Sequence, residues 1–103
     1  MADNDIIVLE DAKDALFLLE KEFRRALVKR DLNAATAIKK DLDAAVDALG
    51  RARLKLLEEG VLATDDDVAE MRRIKAEMDQ AADRQQLLEG AVKFAAFIGK
   101  FFV

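Results

Sequence analysis

The groups in this chain that can do chemistry are carboxylates, ammonium and guanidinium groups, and the hydroxyls of Thr36 and Thr64. The sequence holds no His, Cys, Ser or Tyr. That removes the Ser-His and Cys-His nucleophiles and the usual ligands of zinc, haem and iron–sulfur clusters. The run Asp65-Asp66-Asp67 could hold a hard cation through its carboxylates. A calcium loop, however, needs ligands at alternate positions, a central Gly and a closing Glu, and that pattern does not follow the triplet. Three aspartates in the first turn of a helix explain it without a metal. Asp43 with Asp47, or Glu70 with Glu77, could supply acid–base catalysis, but at helical spacing they read as a solvated face. A di-iron bundle would need Glu-x-x-His pairs. The expectation is no enzyme, no metal and no cofactor.

A second cluster is basic. Lys21, Arg25 and Lys29 stand four apart on one helix face, with Arg24 beside them and Arg30 following. This set could contact an acidic partner or phosphates, or pair internally with Asp41, Asp43 and Asp47 of an antiparallel neighbour. No aromatic residue is placed to stack on bases, since Phe23 belongs to the apolar seam. A net charge of −4 and a pI near 4.9 also disfavour nucleic acid, which wants a basic footprint.

These side chains must be positioned by helices. The chain is 103 residues, the size of one domain, and it lacks Pro and holds four Gly, so breakers are few. Leu9, Ala12, Leu16, Leu19, Phe23 and Ala26 repeat at steps of three and four. So do Ala35, Ile38, Leu42, Ala45, Leu49, Ala52 and Leu56. A third series runs Met71, Ile74, Met78, Ala81, Leu88, Val92 and Ala95, with polar Gln85 in its seam. Such periodicity implies helices packed nearly parallel or antiparallel, as in coiled coils. The spacing predicts helices over about 6–30, 32–59 and 65–102, in a single helical domain over 1–103. Asp31 or Asn33 is expected to cap the second helix, Gly60 to end it, and Thr64 with Asp67 to cap the third. A faint likeness between Asp11–Leu27 and Asp41–Leu57 follows from shared composition rather than from a repeat. The expected fold is all-α, an antiparallel three-helix bundle.

The third helix then poses a problem. From Leu87 onward it carries four of the six Phe residues, and its charges Glu89, Lys93 and Lys100 fall on one stripe. At 1.5 Å per residue it would run roughly 57 Å, against roughly 40 Å for its partners. The apolar end would overhang and need a cover. The expected interface is Leu87, Leu88, Ala91, Val92, Phe94, Ala95, Phe97, Ile98, Phe101 and Phe102. Its cover would be a second copy of the chain, a membrane surface, another protein, or the bundle itself if the tail hinges back at Gly90. The resulting expectation is a non-enzymatic interaction or assembly protein that oligomerises or docks through its C-terminal helix. The alternative is a lipid-surface protein inserting residues 87–103. An acidic start, where a signal peptide would be basic, leads to an expected cytoplasmic or membrane-associated location.

Overall fold

The computed structural model describes residues 3–60 and 63–101. Four α-helices account for most of them: α1 (Asp3–Val28), α2 (Leu32–Glu59), α3 (Asp65–Asp79) and α4 (Arg84–Gly99). Helices α1 and α2 form one antiparallel hairpin and α3 and α4 a second. Around the bundle the neighbours run α1, α2, α4, α3, so α2 and α3, consecutive in the chain, lie at opposite corners. The molecule measures 43 × 23 × 18 Å. Its long dimension is that of the first hairpin, since a helix of this length spans about 40 Å.

The expectation of three helices needs correction. The third stretch breaks at residues 80–83 and folds back, so among the described residues no apolar end overhangs. Gln80 closes α3 by donating its N–H to the Ala76 carbonyl. Asp83 opens α4 by accepting from the Gln86 N–H at 2.9 Å, while the Gln86 side chain accepts from the Ala82 N–H at 2.9 Å. These reciprocal bonds satisfy N–H groups that a helix start leaves open. The hinge is therefore not Gly90. That residue lies inside α4 against α3, where an added Cβ would stand 2.6 Å from Met78 Cγ.

The other joints follow local chemistry. Asp31 accepts from the Ala34 N–H at 3.0 Å and caps α2. Gly60, at φ 79°, ends α2 with its N–H on the Leu56 carbonyl. Thr64 and Asp67 form a complete capping box at the start of α3. Burial pushes the Asp67 carboxyl up, but the Lys100 ammonium and the Thr64 N–H outweigh it and hold the group below its usual 3.8. That bond ties the end of α4 to the start of α3.

The core is shared by both hairpins. Val8, Ala12, Ala15 and Leu19 of α1 and Leu49, Ala52 and Leu56 of α2 meet Met71, Ile74, Phe94 and Ile98. Ala is frequent on the α1 and α2 sides, which lets the helices approach closely and leaves the volume to Phe94 and Met71. Along α1, Lys75 of α3 reaches Asp14 at 3.2 Å and Asp11 at 3.3 Å. Those two carboxylates raise the Lys75 ammonium above its ordinary value.

Candidate functional site

The residues expected to form a C-terminal interface lie mostly inside. Leu87, Ala91, Phe94, Ile98 and Phe101 are buried in the chain's own core, and Leu88, Ala95 and Phe97 are half-buried. Val92 is exposed on its own. Phe102 lies outside the described residues. The cover that the tail needs comes from α1, α2 and α3.

Apolar surface appears instead on the outer face of the first hairpin, away from α3 and α4. Ile6 and Phe17 of α1 and Val46, Leu54 and Leu57 of α2 are exposed, Phe17 by 54% and Leu57 by 64%. Leu9 and Leu16 fill the seam between them, half-buried. Two open depressions of about 320 Å³ each mark this face. One lies between Ile6, Leu9, Glu10 and Lys13 on α1 and Arg53 and Leu57 on α2; the other surrounds Leu16 and Phe17. Gly50 stands in the same row as Val46, Leu54 and Leu57. It is exposed, and an added Cβ would meet nothing within 4 Å. The sequence pattern missed this face because the seam residues and the outer residues both recur at helical spacing.

The basic cluster sits at the far end of the first hairpin. Lys21, Arg24, Arg25 and Lys29 are all exposed. Arg24 pairs with Glu20 at 3.7 Å and Arg25 with Glu22 at 3.1 Å, both within α1. Lys21 and Arg25 also border a cleft of about 240 Å³ whose other wall is the α3–α4 turn, including Asp83 and Arg84. Asp43 and Asp47, expected as internal partners, pair instead with Lys39 at 2.8 Å and Arg51 at 3.1 Å along α2.

The remaining chemical groups are occupied locally. The Thr36 hydroxyl donates to the Leu32 carbonyl at 2.8 Å, and the Thr64 hydroxyl accepts from the Asp67 N–H at 3.1 Å. Among the described residues no three acidic side chains converge to hold a metal ion. No described helix is long and apolar enough to cross a membrane. One buried carboxylate escaped sequence reasoning: Asp5, fully enclosed, accepts from the Ala63 N–H at 2.9 Å and pins Ala63, just before α3, to α1. The partner is 58 positions away, and no local pattern encodes it. No protein-family model, curated protein or solved structure matches the chain.

Proposed function

We propose that the protein is a non-enzymatic assembly module that pairs with a second copy of itself across the outer face of α1 and α2. The observation that carries this reading is Gly50. A glycine in the middle of a 28-residue helix destabilises it by about 1 kcal/mol relative to Ala. Nothing within the chain requires it, because a Cβ there meets open space. A close approach from outside is what a glycine on an exposed apolar row serves.

The face is also self-complementary. With Gly50 on a twofold axis and the two copies antiparallel, Val46 faces the partner's Leu54, each four positions from the centre. On α1 the matching centre lies between residues 11 and 12, at nearly the same distance from the hairpin turn as Gly50. There Ile6 faces the partner's Phe17 and Glu10 faces the partner's Lys13. Isologous interfaces are built from such reciprocal pairs.

Sedimentation equilibrium tests the proposal. The intact chain is expected at twice its 11.5 kDa mass. Gly50→Leu and Phe17→Glu should each give a monomer with unchanged helicity. Glu10→Lys and Lys13→Glu should each weaken pairing, and the double exchange should restore it. An intact chain that remains monomeric at millimolar concentration overturns the reading.

A further inference from the structure

The tip of the first hairpin has properties that self-association across the α1/α2 face does not use. Residues 27–33 are all exposed, and three of them are large and apolar. Val28 is 83% exposed, Leu32 70% and Leu27 46%. Monomeric domains rarely hold such side chains together at a convex apex without a partner. The second hairpin meets the base of the tip and not its apex. Leu88 of α4 packs against Ala26, Ala34, Ala35 and Ile38, and Arg84 reaches Asp31 at 3.6 Å, while residues 27–33 stay exposed.

Charge is concentrated at the same end. Residues 21–40 hold seven basic and two acidic side chains, a net +5 in a chain of −4. The other 83 residues hold ten basic and nineteen acidic side chains, a net −9. Among the described residues Lys21, Lys29, Arg30 and Lys40 make no ion pair. Arg24 and Arg25, themselves exposed, pair only with half-buried glutamates one helical turn away, and pairs with an exposed partner hold weakly.

The backbone adds an independent observation. Arg30 adopts φ 57°, and it is the only non-glycine among the described residues with positive φ. It occupies the position that ends α1, where the Arg30 N–H donates to the Leu27 carbonyl at 3.0 Å and the Asp31 N–H to the Ala26 carbonyl at 3.0 Å. Glycine is the residue suited to this place. The chain instead carries a guanidinium at the apex, beside Val28 and Leu32, in a conformation that arginine disfavours.

From this juxtaposition we infer that the α1–α2 turn docks onto an anionic lipid surface. Val28, Leu32 and Leu27 enter the interfacial layer. Lys29 and Arg30 at the apex, and Lys21, Arg24, Arg25, Lys39 and Lys40 along the shaft, meet the headgroups, their long stems lying along the apolar side chains. The acidic remainder of the molecule is repelled by the same surface, so the molecule stands on its tip. An acidic protein segment in the cleft beside Lys21 and Arg25 would leave Val28 and Leu32 at the apex uncovered, whereas a lipid layer covers both.

Flotation with vesicles tests the inference on the intact chain. Binding is expected to vesicles of phosphatidylcholine with phosphatidylglycerol, to be absent with phosphatidylcholine alone, and to fall with salt. Each basic residue near the surface is worth about fivefold in affinity. Lys29→Gln with Arg30→Gln should therefore weaken binding on the order of 30-fold. Val28→Asp with Leu32→Asp should abolish it, with the circular dichroism spectrum unchanged. Arg30→Gly should raise the melting temperature and still lower affinity, an opposition that a purely structural arginine would not produce. Lys93→Gln, on exposed α4 surface, should leave binding intact. Failure to float with anionic vesicles overturns the inference, as does equal floating with neutral ones or an equal loss in Lys93→Gln. Phe17→Glu should bind vesicles as the parent does, so a failure of self-association remains distinguishable from a failure of the tip.

Discussion

At the scale of single residues, two glycines at comparable helical positions answer to different neighbours. Gly90 packs against Met78, and a Cβ there would come within 2.6 Å of Met78 Cγ, near the backbone rather than at the flexible end of the side chain. Gly50 has open space around it. The same substitution should therefore have opposite signs. Gly90→Ala gains about 1 kcal/mol of helix propensity but overpacks the α3–α4 contact by about 1–3 kcal/mol, for a net loss of stability. Gly50→Ala gains the propensity with no clash and should stabilise a dilute monomer by about 1 kcal/mol. Denaturant midpoints on the two variants read the signs directly; a destabilised Gly50→Ala in dilute solution would mean that the chain itself uses the glycine. Residue type alone could not separate the two sites, because both are mid-helix glycines among apolar residues. The caps were legible for the opposite reason. Asp31, Thr64 and Asp67 act on backbone within three positions, whereas Asp5 serves a backbone group far along the chain.

At the scale of elements, α2 was readable end to end because its apolar steps run without a miss between an aspartate cap and a glycine. The break between α3 and α4 was not. The apolar series continues through Met78, Ala81 and Leu88, and neither Pro nor Gly interrupts it. What stops the helix is a competition that periodicity does not score. Asp83 and Gln86 bond backbone N–H groups of a new helix start, and the fold-back lets Phe94, Ile98 and Phe101 enter a core they could not reach on a straight helix. The one local sign was Gln85 in the seam. Truncation tests the fold-back. Removing residues 84–103 uncovers Leu19, Met71 and Ile74 and deletes fully buried Phe94. Burial of Phe94 alone is worth about 1.5–3 kcal/mol. The truncated chain should lose most of its cooperative thermal transition, as followed by circular dichroism. A sharp transition near that of the intact protein would show that α1, α2 and α3 suffice.

At the scale of the whole molecule, charge and shape point along one axis. The tip of the first hairpin is basic, while the opposite end gathers Asp3, Glu58, Glu59 and Asp65–Asp67. An antiparallel pair centred on Gly50 sets each basic tip away from its counterpart and brings it past the partner's acidic end, so the molecular dipoles oppose and association is favoured. The same arrangement leaves the two tips at opposite ends of the assembly, about 55 Å apart at 1.5 Å per residue. One dimer would then present a lipid-docking apex in each direction, and neither apex could reach the surface held by the other. This geometry separates bridging from avidity. The intact chain should cluster anionic vesicles, seen as a rise in turbidity and in particle size by light scattering, at protein concentrations where it is dimeric. Phe17→Glu should bind the same vesicles and leave them dispersed, because a monomer has one tip. Val28→Asp with Leu32→Asp should stay dimeric and cluster nothing. Vesicle binding without clustering by a confirmed dimer would place both tips on one side and would replace the antiparallel pairing with a parallel one.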